Sequence, residues 1–137
     1  MPSRAFDLAN PPALSDPTDF AFSHVASVPP GSRLVFIAGQ GGGVEDGTRG
    51  VDFAGEVNSC LANVRTALGH AGASMADVCK ITILVVDLDD TRHKALTREL
   101  QNAFAGGPYP TSTLIPVPRL SGPRMQIEIE ATAVLAA

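Results

Sequence analysis

Met125-Gln126-Ile127-Glu128-Ile129-Glu130-Ala131-Thr132-Ala133-Val134 alternates apolar and polar residues with a period of two. A strand sends successive side chains to opposite faces. Met125, Ile127, Ile129, Ala131 and Ala133 therefore form a core stripe, and Gln126, Glu128, Glu130 and Thr132 form the other face. A face with two carboxylates beside a packed sheet is either solvated or the wall of a site. Just upstream, Pro108-Tyr109-Pro110-Thr111-Ser112-Thr113-Leu114-Ile115-Pro116-Val117 holds another strand near Ser112–Val117. Pro116 and Pro118 donate no backbone hydrogen bond, which restricts that strand to a sheet edge or to its early residues.

Working outward, two helical patterns precede these strands. Asp89-Asp90-Thr91 opens one, with Leu96, Leu100, Ala103 and Phe104 inward and Gly106-Gly107-Pro108 at its end. Its acidic start suits the positive end of the helix dipole. The other runs from Asp52 to Ala71, where Val57, Leu61, Val64 and Leu68 fall on one stripe that Phe53 and Cys60 widen. Asp52 is its expected N-cap and Gly72 its stop. Between the helices, Val78 to Val86 is apolar enough to predict a strand covered on both faces.

The first third is rich in turns. Residues 1–19, with their Pro, Ser, Asp and Ala, read as an N-terminal arm, leaving 20–137 as a single domain. Phe20, Phe22, His24, Ala26 and Val28 alternate. Pro29-Pro30-Gly31-Ser32 reads as a turn, and Arg33 to Ala38 as a buried-type strand, so the pair predicts a β-hairpin. Gly39-Gln40-Gly41-Gly42-Gly43 follows directly. A phosphate loop needs a helix to start at once, and here the next helix begins about nine residues on, so this is a turn or close backbone approach. A short edge strand is expected within Gly43–Gly50.

Strands on either side of each helix predict an α+β fold, a mixed sheet with two helices on one face. The other face, also apolar, calls for partner subunits. The net charge of −4 and scattered arginines exclude the basic footprint of a nucleic-acid binder. No stretch approaches the ~20 apolar residues of a membrane span, and no secretory signal opens the chain. Cys60 and Cys79 read as small buried hydrophobes in a reducing cytoplasm. Without a CxxC or Cys/His cluster, no metal site or other cofactor is expected.

Four segments together resemble the RidA/YjgF (L-PSP, Rid) family over essentially the whole chain. They are Phe36-Ile37-Ala38-Gly39-Gln40; Leu61-Ala62-Asn63-Val64 through Ala71-Gly72 to Asp77-Val78-Cys79-Lys80; Val86-Asp87-Leu88; and Pro110 through Val117 with Ile127-Glu128-Ile129-Glu130-Ala131. The resemblance implies a chorismate-mutase-like subunit and a homotrimer whose sheets form a central barrel. It also implies small-molecule clefts at the subunit interfaces.

In the family's deaminases, the arginine of Pro-Ala-Arg-Ser/Thr grips the carboxylate of a 2-imino acid. A guanidinium suits that task, being permanently charged and bidentate. Here Ser112 stands in its place, and Phe22 aligns with a cleft tyrosine. A neutral hydroxyl contributes about 1 kcal/mol where a charged donor contributes roughly 1.5–3, so standard 2-imino acid deamination does not carry over. Glu128 remains as the expected catalytic carboxylate, holding water or acting as general base. Phe22, Gly39, Gln40, Ser112, Thr113 and Arg124 are the expected ligand-binding residues, with Arg124 the preferred substitute cation. Glu130 reads as a solvated carboxylate. His24 shares Phe22's strand face and reads first as a structural or surface histidine, second as an acid–base group.

The expected function is hydrolase/deaminase- or isomerase-type chemistry on an imine, enamine or related metabolite. The alternative is a non-catalytic metabolite- or protein-binding trimeric scaffold. An endoribonuclease, a label attached to some relatives, fits the acidic balance worst.

Overall fold

The computed structural model describes residues 4–42 and 52–137. In chain order these form β1 (Asp7–Ala9), β2 (Val25–Ser27), β3 (Arg33–Gln40), α1 (Phe53–His70), β4 (Val78–Val86), α2 (Asp90–Ala103), β5 (Thr111–Val117) and β6 (Ile127–Leu135). β1 and β2 make a small antiparallel pair, and the main sheet has the order β3-β6-β4-β5. β6 runs antiparallel to both its neighbours, while β5 runs parallel to β4. α1 packs on α2, β6 and β3, which places the helices on one face of a mixed sheet.

The alternating C-terminal strand is central, as its composition requires. Ile127, Ile129, Ala131 and Ala133 are buried under the helices. Ile83 is registered against Ile129 and Ile81 against Ala131 on one side, with Val35 against Ala133 on the other. Val57, Cys60, Leu61, Val64 and Leu68 of α1 close over them. Burying a side chain of this size is worth about 1.5–3 kcal/mol, so the stripe fixes the register: a one-residue slip would turn it to solvent.

The helix ends follow their sequence signals. The Asp52 carboxylate accepts from Gly55 N at 2.8 Å, and that of Asp89 from Arg92 N at 2.7 Å. Gly72 takes φ +77°, and Ala73 N donates to Leu68 O beyond it. β5 is an edge strand, which accommodates Pro116.

The expected hairpin does not form. β2 pairs with β1, Leu8 against Ala26, while β3 pairs with β6. Val35 and Ile37 find their buried surface on β6, and β2 takes its partner from the segment read as an arm. Phe6 of that segment is buried against Val134 and Cys79. Nor does Phe20 continue a strand: it ends the one-turn helix Thr18–Phe20, and Ala21 turns left-handed at φ 60°.

Beyond Cys79, which Phe6 covers, β4 is covered on only one face among the described residues. Ile81, Ile83 and Val85 are buried; Lys80 is exposed, and Thr82, Leu84 and Val86 are half-buried. Away from Phe6, the helix-free face also exposes Leu34, Phe36 and Ile115. The edge strand expected within Gly43–Gly50 lies outside the described residues.

Candidate functional site

Glu128 lies on the helix-free face, registered against Leu84, which is in turn registered against Ile115. Gly39 lies beside it, in the irregular stretch where the β3–β6 register shifts between Ile37 and Gln40. The Glu128 carboxyl group occupies the space over Gly39: a Cβ there would lie 2.9 Å from Oε1. Among the described residues, the Glu128 carboxylate has no hydrogen-bond or ion-pair partner. Thr113 belongs to the same face, in a row with Thr82 and Glu130. Gln40 turns back on its own strand, its Nε2 donating to Ala38 O at 3.0 Å.

Ser112 lies elsewhere. It is registered against Ile81, on the helix side of edge strand β5. Two strand spacings of ~4.8 Å and three residues of ~3.3 Å set it about 14 Å from Glu128, on the opposite face. Its neighbour across the edge is the segment carrying Phe22: Ser23 bridges Thr111, Ser23 N donates to Pro110 O, and Ser23 Oγ donates to Tyr109 O at 2.6 Å. Phe22 meets His24 edge to face, ring centroids 5.3 Å apart. Arg124 is at the other end of the sheet, in the turn between β5 and β6. Five residues of β5 alone put ~16 Å between that turn and Ser112. Within a protomer, then, the candidates form two groups: Gly39, Thr113 and Glu128 on the open face, and Phe22 and Ser112 on the β5 edge.

A polar network that sequence reasoning missed supports Glu128. Glu56, fully buried in the first turn of α1, accepts through Oε2 from Gln126 N at 2.6 Å and Ile127 N at 3.2 Å. Its Oε1 accepts from Gln126 Nε2 at 3.1 Å. Arg92 donates from Nη2 to Gln126 Oε1 and from Nη1 to Val86 O, both at 2.6 Å, with its guanidinium over Phe53. The network pins the entry of β6 two residues before Glu128. The signal was available: Glu56 stands three residues after Phe53 and four before Cys60, a charge on the apolar stripe.

Behind the strand, burial pushes the Cys60 thiol up to about 12, with the Glu56 and Glu128 carboxylates adding to the rise. Burial also raises the Cys79 thiol. Both cysteines are free. Among the described residues no cluster of His, Cys, Asp and Glu could hold a metal, and no helix is long and apolar enough to cross a membrane. A cavity of about 800 Å³ opens between β1, the turn at Met75–Val78 and the C-terminal end of α2, away from every candidate residue.

The comparisons with known proteins agree with this architecture. The family model described as Endoribonuclease L-PSP matches residues 17–135. The chain belongs to this family, the RidA/YjgF group. The RutC family protein YjgH of Escherichia coli K12 is 31% identical over 98 residues, 72% of this chain and 74% of that protein. The Rid family protein YyfB of Yersinia pestis, described as of unknown function, superposes with a TM-score of 0.88 at 31% identity, covering 96% of this chain and 99% of that one. TdcF of E. coli, solved with bound serine, gives a TM-score of 0.64 at 30% identity, covering 80% and 85%. Membership in the L-PSP family supplies the fold, and the two groups of candidate residues are where this chain's chemistry is to be sought.

Proposed function

We propose that the protein is a Rid-type homotrimer that binds a small metabolite in clefts between subunits and acts there on an imine, enamine or related compound. The observation that carries this reading is the Glu128 carboxylate: half-buried, without a partner among the described residues, and held over backbone at Gly39. A carboxylate so placed accepts a proton from water or holds the water for attack. The separation of Ser112 and Phe22 from Glu128 supports an interfacial site, because only a second copy brings the β5 edge of one subunit to the open face of another. The uncovered apolar residues Leu34, Phe36 and Ile115 supply the contact surface. The two free, buried thiols fit a reducing compartment, the cytoplasm.

Standard 2-imino acid deamination is outside the proposal, since Ser112 lacks the guanidinium. The test is incubation with a panel of imines and enamines, following ammonia release and ligand-induced thermal shift, with 2-aminoacrylate included as the standard substrate expected to give no turnover. Turnover lost in Glu128→Gln supports the reading; no turnover and no shift with any compound overturns it.

The replacements at Ser112 and Phe22 favour one second reading, a non-catalytic trimeric scaffold. Ser112→Arg separates the two. Gained imine hydrolysis shows a competent cleft, and continued inertness favours the scaffold.

A further inference from the structure

We propose that the cavity beside β1 is a binding site for a small aromatic molecule that carries an acidic group, with Arg4 as the residue that meets the acid. The cavity shares no lining residue with the Glu128 and Ser112 groups, so the inference stands independently of the cleft reading.

At about 800 Å³ the cavity is in the size range of sites that enclose a small organic ligand. Its walls come from three separate parts of the chain: Phe6 and Leu8 from the N-terminal segment, Met75 and Val78 from the turn before β4, and Phe104 and Pro108 from the end of α2 and the turn beyond it. The fold itself holds these walls. Phe6 is buried against Val134 and Cys79, while Val78 and Phe104 belong to the main core, with Met75 packed on it. Among the described residues neither Phe6 nor Phe104 lies against another aromatic ring. The main chain at the α2 end is engaged within its own turn: Phe104 N donates to Leu100 O, Gly106 N to Gln101 O and Gly107 N to Phe104 O. The nearby Asp77 carboxylate accepts from Ser74 N and Oγ. A ligand here therefore meets mostly apolar surface, and burying an aromatic ring supplies the affinity.

One cation faces this surface. The Arg4 guanidinium stands over the Phe6 ring, 6.0 Å from its centroid, and has no ion-pair or hydrogen-bond partner among the described residues. Asp7, the other charged residue of the lining, lies on the exposed face of β1, opposite Leu8. A guanidinium at the edge of an apolar recess selects a planar acidic group attached to a ring. The ring displaces water from the walls, and the acid takes the two parallel donors of the fork. An uncharged ring would leave Arg4 unused, and a small polar anion would leave the walls wet.

The methionines make the site readable. The chain has three, Met1, Met75 and Met125; Met75 lines this cavity, whereas Met125 packs over Gly41 at the entry of β6. The test is titration of the full-length protein, methyl-labelled at methionine, with naphthoate, naphthalenesulfonate and the neutral naphthalenemethanol, followed by nuclear magnetic resonance. The anions should shift the Met75 methyl saturably, leave Met125 in place, and bind at least ~5-fold more tightly than the alcohol. Equal response to the two anions assigns the site to acidic groups in general, and response to one alone narrows it to that acid; either supports the inference. Arg4→Gln should bring the anions to the affinity of the alcohol and melt at the wild-type temperature, since Arg4 is exposed. No shift of Met75 with any probe, a shift at Met125 instead, an alcohol that binds as tightly as the anions, or an anion preference that survives in Arg4→Gln overturns the inference.

Discussion

The Glu128 side chain lies so close over Gly39 that a Cβ on the glycine would stand 2.7 Å from the Glu128 carboxyl carbon. Only hydrogen fits there without moving the carboxylate. Gly39 is not among the left-handed residues, so alanine meets no backbone strain, and the displaced group is the far end of a flexible side chain. Gly39→Ala should therefore lower stability by less than about 1 kcal/mol yet abolish the ligand-induced thermal shift by pushing Glu128 from its place. A variant that melts normally and still responds to ligand would remove Glu128's position from the mechanism.

Glu56 predicts the opposite pattern. Its buried carboxylate satisfies Gln126 N, Ile127 N and Gln126 Nε2. Glu56→Ala leaves those donors without it and opens a cavity, at a cost of about 3–5 kcal/mol. Glu56→Gln should cost less, about 1–3 kcal/mol, because its amide oxygen can still serve the two backbone donors while its NH₂ opposes that of Gln126. Gln126 cannot flip to relieve this, since Arg92 already donates to its oxygen. Urea unfolding of both variants checks the order; equal midpoints for wild type and Glu56→Ala would show that the network carries no stability.

These two residues mark what the sequence made legible. β6, the cap at Asp52 and the helix start at Asp89-Asp90-Thr91 were readable because each depends on spacing within a few residues. Strand pairing was not: alternation in Phe20–Val28 says that one face is buried but not which strand supplies the partner, and β1 did. The split between Ser112 and Glu128 was hidden for the same reason. Each belongs to a readable strand, but which face each shares depends on the β4 register between them, Ile81 for one and Leu84 for the other. Glu56 was legible and passed over, because a glutamate in a first turn is ordinarily a dipole effect.

The open sheet face predicts the assembly. Phe36 is 75% exposed on β3, in a row with Thr132, Lys80 and Thr111 that crosses the whole sheet. Phe36→Glu should leave the protomer folded, since the side chain contributes little to its own core, and should convert the proposed trimer to monomer by light scattering. If the variant remains trimeric, the subunits meet on another surface and the interfacial cleft loses its basis.

Cys60 gives a pH dependence of definite sign. Burial, reinforced by Glu56 and Glu128, raises its thiol to about 12 in the folded chain, while an unfolded thiol ionises near ~8.5. The folded state therefore binds the proton more tightly than the unfolded state. Its contribution is complete below the unfolded value and is lost as pH rises toward the folded one. Urea midpoints should fall between about pH 9 and about pH 12, and Cys60→Ala, though less stable throughout, should show a shallower fall over that window. The same burial predicts that iodoacetamide labels neither Cys60 nor Cys79 at neutral pH until denaturant is added, because the thiolate is the reacting species and neither thiol is accessible. Rapid labelling of the native protein at Cys60 would show that the space behind Glu128 opens to solvent, and with it the strand that holds the carboxylate.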